Sequence, residues 1–268
     1  MDYAQKISEN VPEIEEKYGV CVLWSIESGS RVWGFDSSDS DYDVRFVYVR
    51  PLSWYLTVQD RRDVIEPYHA DTLLDFSGWD LRKALFQLYR GNPQLIEWIT
   101  SPWVYTGLDN LKKWQPLVKQ YWNRKTAYFH YLHMAKRNWK QYVENDPAPN
   151  FKKTLYVLRP LLNCWFMELF DGALPPLNFE KVFTSVVFAA TESLEQSFIE
   201  DVWKLWDLKV SGTEQTNGPA WPSINNWIEM SFEHFRKQVY EGSKVMNTTD
   251  VLDEFFLNEV MRKGINAD

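Results

Sequence analysis

Two aspartates two residues apart, Asp41 and Asp43, open an apolar β-prone run that continues to Arg50. Alternate residues of a strand project to one face, so the two carboxylates point at a common spot. Carboxylates that close repel each other unless a cation lies between them. Mg²⁺, or Mn²⁺ in its place, suits that spot because it takes hard oxygen ligands together with substrate phosphates. Upstream the chain reads Gly29-Ser30. The glycine leaves backbone N–H groups open to a phosphate and the serine adds a hydroxyl. The chemistry this combination could do is phosphoryl-group transfer, with metal ions activating an attacking hydroxyl and stabilising the leaving oxygen. Ser/Asp/Gly clusters also form turns that bind nothing. Against that plainer reading, the pair opens an apolar strand, where unneutralised charge is costly.

The surrounding sequence supplies elements to position these groups. Residues 4–18 read as an amphipathic helix closed by Gly19. Val20–Ile26 reads as an interior strand, Arg31–Phe35 as a short helix whose N–H groups face an anion, and Asp41–Arg50 as a second strand stopped by Pro51. Arg31 could contact phosphate or pair with the local acids; Ser40 could bond phosphate or cap a turn. Trp54–Val58 and Asp63–Pro67 read as a hairpin or irregular edge. Thr72–Phe76 reads as a third strand carrying Asp75, a third carboxylate placed to act as general base, with Asp71 of the same strand parity as its fallback. A helix from Gly78 to Arg90 follows, in which Ser77 and Asp80 have capping-box spacing and Lys83 is a further candidate for phosphate. Pro93–Thr100 reads as another helix.

Composition sets the frame. With 268 residues, 45% apolar and 16% aromatic, the chain has enough for one large or two moderate cores. No apolar run approaches the ~18 residues of a membrane span. The first residues lack the basic and apolar regions of a secretory leader, and the two cysteines, Cys21 and Cys164, lie in apolar runs as reduced core thiols. The expectation is a cytoplasmic protein with no membrane segment. Its net charge of −8 is unevenly spread: residues 112–160 hold eleven Lys and Arg against two acids, between acidic flanks. Such a segment is either a solvated helical face or a polyanion site. From about Gly107 the pattern is helical nearly to the end, giving an expected division into a catalytic domain, 1–106, and a helical domain, 107–268, that completes the nucleotide and acceptor site. In the helix read over 150–170, Lys152, Tyr156 and Arg159 share a face, beside Lys153, and could hold a triphosphate and stack a base.

Strand, Gly-Ser, short helix and D-x-D on the next strand resemble the nucleotidyltransferase superfamily that includes DNA polymerase beta. The wording Glu27-Ser28-Gly29-Ser30-Arg31 and Asp39-Ser40-Asp41-Tyr42-Asp43-Val44-Arg45-Phe46 is similar to the RNA-repair-associated branch, the RlaP or YcgL-like family. So are Ser77 to Leu85, Asn92-Pro93 through Glu97-Trp98, Ser101-Pro102, and Lys152 to Pro160. The resemblance implies an α/β (α+β) fold with a mixed-sheet catalytic domain and an all-helical C-terminal domain. It also implies a divalent metal on Asp41, Asp43 and Asp75, and transfer from an NTP to an RNA end. The alternatives left open are nucleotidylation of a protein or small molecule, and a non-catalytic RNA-binding protein retaining the fold.

Overall fold

The computed structural model describes residues 3–66, 73–190, 192–237 and 248–264. The chain divides into two compact units: residues 1–32, 41–123 and 245–268 form the first, and residues 33–40 with 124–244 the second.

The first unit is a five-stranded sheet with helices. In chain order it holds α1 (Tyr3–Tyr18), β1 (Cys21–Ser28), α2 (Gly29–Trp33), β2 (Tyr42–Val49), α3 (Leu52–Tyr55), β3 (Val64–Ile65), β4 (Leu74–Asp80), α4 (Leu81–Tyr89), α5 (Pro93–Ile99), β5 (Val104–Thr106) and α6 (Leu108–Tyr121). The strand order is β3-β4-β2-β1-β5. Only the β2–β4 pair is parallel; the other three pairings are antiparallel. This is the mixed sheet with helices that the fold class required. Alternation sorts the faces of β2: Val44, Phe46 and Tyr48 join Ile7 and Ile14 of α1 and Phe76 of β4 in the buried core, which leaves Asp43 and Arg45 to the other face. Phe46 lies opposite Gly78, where any Cβ would come within 2.1 Å of its ring, so only glycine fits beneath that phenyl group.

Several boundaries differ from the sequence reading, each for a local reason. β4 runs on to Asp80, so Gly78 belongs to the strand and α4 starts later. Asp80 is itself the N-cap, accepting from Arg82 N–H at 2.8 Å and from the Tyr55 hydroxyl at 2.8 Å; Ser77 takes no part in a capping box. Trp54 and Tyr55, read as strand, lie in the single turn α3. β5 was not anticipated, because three residues are too few to show a period of two. The chain leaves the first unit after Asn123 rather than at Gly107: α6 buries Trp114 edge-on against Trp24 of β1 and against Phe255 of α12 (Asp250–Glu259). Helix α12 and the π-helical turn Val260–Gly264 belong to this unit too.

The second unit contains α7 (Arg124–Tyr142), α8 (Phe151–Leu169), α9 (Phe179–Ala189), α10 (Gln196–Ser211) and α11 (Pro222–Lys237). α8 is apolar nearly all round, the profile of a central helix, and it packs against the other four. Among the described residues no helix is long and apolar enough to cross a membrane.

Candidate active site

β2 and β4 bring Asp43 directly opposite Asp75 in register. Two residues on from Asp43, on the same face, Arg45 places Nη2 2.7 Å from Asp43 Oδ1 and 2.8 Å from Asp75 Oδ2. Its Nη1 donates to the Asp75 carbonyl at 2.9 Å. A positive charge therefore does stand between the two carboxylates, and it is a side chain of the chain itself. Arg45 was missed in the sequence, although strand parity aligns it with Asp41 and Asp43.

The Gly29 turn lies against the same acid. Gly29 has φ +64°, and a Cβ there would fall 1.9 Å from Asp43 Oδ2. No L side chain fits between turn and carboxylate. Ser30 follows, buried. Beneath them Glu27, fully buried, accepts the Asp43 N–H through Oε1 at 2.7 Å and the Tyr105 hydroxyl through Oε2. Burial pushes its carboxyl up to about 7, against the opposing pull of those two hydrogen bonds. Glu27 also escaped the sequence reading, which ended β1 at Ile26; a carboxylate continuing an apolar strand was the available signal.

The remaining candidates of this unit scatter. Arg31 donates to the Asp41 carbonyl at 3.2 Å and lies over the Tyr42 ring at 3.7 Å. Lys83 pairs with Asp63 at 2.9 Å and lines a cleft of about 600 Å³ with Trp54, Arg61, Asp80 and Arg82. It lies past the C-terminal end of β4, whereas Asp75 is near the N-terminal end, ~17 Å of strand away. Asp71 lies outside the described residues.

Among the described residues, no three Asp, Glu, His or Cys side chains gather as a metal centre. Asp43 and Asp75 alone do fit a cation, since the Arg45 guanidinium already stands in for one between them. Asp41, exposed just before β2, does not complete a set of three.

In the second unit Lys152 and Lys153 flank the Tyr156 ring at 5.7 and 5.5 Å, and Arg159 lies over Trp33 at 4.3 Å. Lys152 also pairs with Glu214. Ser40 is fully buried, accepts the Ser37 N–H at 3.0 Å and donates to Glu214. Its hydroxyl thus both braces a turn and faces a carboxylate.

The sequence matches the model of RlaP, the RNA repair pathway DNA polymerase beta family, over residues 3–258. The chain belongs to that family. It is 36% identical over 262 residues, 96% of each chain, to an uncharacterised protein YcgL of Bacillus subtilis. A solved nucleotidyltransferase-like protein from Exiguobacterium sibiricum aligns with 96% of this chain and 80% of its own, at 12% identity and a TM-score of 0.31. That likeness is too loose to bear on the site. In this RlaP chain the Gly29 turn and the Asp43–Asp75 pair lie within one compact unit, and the buried Glu27 holds the Asp43 backbone.

Proposed function

We propose that the chain transfers a nucleotidyl group from an NTP to an acceptor hydroxyl, and that the acceptor is an RNA end. One observation carries the reading: Asp43 and Asp75 bracket a positive charge on one sheet face, with the bare backbone of Gly29 against Asp43. In the reaction the acceptor oxygen bonds to the α-phosphorus, the bond from that phosphorus to the bridging oxygen breaks, and pyrophosphate leaves. The hydroxyl proton passes to Asp75, whose carboxylate is the more exposed of the pair. Asp43 is held by Glu27 at its N–H and by Arg45 at its carboxylate, so little reorganisation is needed at the moment of reaction. Mg²⁺ held by Asp43 and Asp75 would supply charge neutralisation at the phosphates.

Support for RNA comes from α7. Lys125, Phe129, His133 and Arg137 recur every four residues and are all exposed, with Lys140 beyond them. Cations interleaved with exposed rings suit a single strand, whose phosphates need charge and whose bases stack. The test is incubation with each labelled NTP and Mg²⁺ alongside total RNA and total protein. Label in RNA, lost at least ~10²-fold in Asp43→Asn and Asp75→Asn chains of unchanged circular dichroism, is the expected result. Label in protein would replace RNA by a protein acceptor. Salt-sensitive RNA binding with no turnover would make the chain a binding protein.

A further inference from the structure

The second unit buries a lysine. Lys209, on the last turn of α10, has a side-chain exposure of 0%. Its Nζ donates to Ser37 Oγ at 2.7 Å and lies 3.3 Å from Glu214 Oε1. The same carboxylate accepts from the Ser40 hydroxyl and, through Oε2, from Lys152. Glu214 thus collects two ammonium groups and one hydroxyl, so two positive charges face one carboxylate. Charge-assisted bonds of this kind are the strong ones. Asp39, which could balance the second lysine, is one step removed: it accepts from Ser37 Oγ at 2.9 Å and from the Glu214 N–H at 3.0 Å.

A staple between loops does not need such a lysine. Taking an ammonium out of water costs several kcal/mol, and an apolar side chain of similar volume often serves stability as well or better. Burial accordingly pulls the Lys209 pKa down, with Glu214 offsetting part of it. Burial works against the Glu214 charge as well, but the Lys152 and Ser40 hydrogen bonds and the two lysine charges hold its pKa below the ordinary range. Glu214 sits on the loop between α10 and α11, with Gly212 and Gly218 on either side, so the carboxylate can leave without unfolding a helix. The loop is docked on the start of α8, where Asn150 Nδ2 donates to the Glu214 carbonyl at 3.0 Å and Phe151 N–H to Thr216 O at 3.0 Å.

We propose that Lys152, Lys209 and Ser40 form a phosphoanion site, and that Glu214 is its built-in occupant, which a phosphate group displaces. The inference deepens the nucleotidyl-transfer reading, on which the choice of a phosphate-class ligand rests. Departure of the carboxylate leaves two ammonium groups and a hydroxyl converging on one spot, which a tetrahedral anion of higher charge fills better than a carboxylate. The side chain then acts as a competitor that only a polyphosphate outbids.

The experiment is calorimetric titration of the full chain with inorganic tripolyphosphate in metal-free buffer. Glu214→Gln keeps the shape and an acceptor oxygen but removes the charge, and should bind about tenfold more tightly than the parent chain. Adding Lys152→Met or Lys209→Met to that variant should abolish the gain. Equal affinity of the parent and E214Q chains overturns the proposal, as does an E214Q chain that melts earlier without binding more tightly. Should E214Q not fold, the parent chain decides against K152M. Tripolyphosphate should raise the melting temperature of the parent chain alone, and an equal rise, or none, overturns the proposal. Transfer is not read in this titration. A failure here leaves Asp43 and Asp75 in their proposed role, while a tenfold gain with no transfer anywhere removes only that role.

Discussion

On the sheet a cation stands between two acids; in the helical unit an acid stands between two cations. Arg45 joins Asp43 to Asp75, and Glu214 joins Lys152 to Lys209. The two constellations are inverse in sign but unequal in setting. Asp75 is 57% exposed beside a half-buried Arg45 and Asp43, whereas the Lys209 side chain is wholly buried beside a half-buried Glu214. Exposed ion pairs are worth about 0–1 kcal/mol, because water screens them and holding long side chains still costs entropy. Breaking a buried pair by removing one partner costs roughly 3–5 kcal/mol, because the other charge is left stranded. An exchange of partners is therefore cheap at the first site and strongly coupled to folding at the second.

Lys209→Met breaks the comparison most severely. It takes one of two cations from Glu214 and a donor from Ser37 Oγ, while Lys152 and Ser40 stay on the carboxylate, and chemical unfolding should report a loss of about 1.5–3 kcal/mol, that of a charge-assisted hydrogen bond. Adding Glu214→Gln removes the charge left with fewer partners and should restore part of that loss. A double variant no more stable than the single one would mean that packing, not charge, makes Lys209 indispensable.

The first constellation has its own buried member, and pH should reveal it. Unfolded Glu27 loses its proton near 4.5, while in the folded chain burial keeps the proton until about 7. Between those values the folded state binds more protons than the unfolded one, so stability falls as pH rises through the window and levels off above it. The decline attributable to this group is on the order of 3 kcal/mol. Unfolding measured in metal-free buffer from pH 4 to 8 should show it, and Glu27→Gln should flatten the slope. An unchanged slope would assign the titration to another group.

Gly29→Ala tests the contact between turn and acid. At φ +64° a side chain costs about 1–2 kcal/mol before any clash, and here the Cβ would overlap Asp43 Oδ2. The expected result is a modest drop in melting temperature with a disproportionate loss of transfer, since the Asp43 carboxylate has to swing away. A loss of stability without a loss of transfer would remove Gly29 from the site.

How much of this was legible follows from range. The Gly-Ser turn and the D-x-D strand are local patterns, readable from period two and turn chemistry, whereas the mixed sheet came from the family resemblance. The placement of Asp75 opposite Asp43 was not legible, because parity gives a residue its face while the β2–β4 register is a pairing 32 residues apart. Arg45 and Glu27 were within reach of period two: Arg45 lay inside the strand read over Asp41–Arg50 but was given no role, and Glu27 was left just beyond the end read for β1. Glu214 and Lys209 were beyond reach, because their partners Ser37 and Ser40 are more than 170 residues away along the chain. Lys83 stands about five residues of strand beyond Asp75, because β4 runs on to Asp80, which the sequence did not show. Asp80 was read correctly as structural but through the wrong bond, since nothing local shows that β4 continues to the residue that caps α4.

The smallest expected effect on stability is also the sharpest probe of the first constellation. Arg45→Ala removes the internal cation from a group in which only Asp75 is exposed, so metal-free stability should fall by about 1 kcal/mol, the upper end for exposed pairs. Yet the two carboxylates then face each other unneutralised, which favours any external cation. Titration with Mn²⁺, read by the loss of the free-ion paramagnetic signal, should therefore show tighter binding in R45A than in the parent chain. Arg45→Lys separates charge from geometry: an ammonium is a point charge without the planar fork that reaches both acids, so it should compete less well than arginine and fall between the two. Weaker Mn²⁺ binding in R45A would reverse the argument. Arg45 would then be the group that aims Asp43 and Asp75 at the ion, not the one that keeps their place until it arrives.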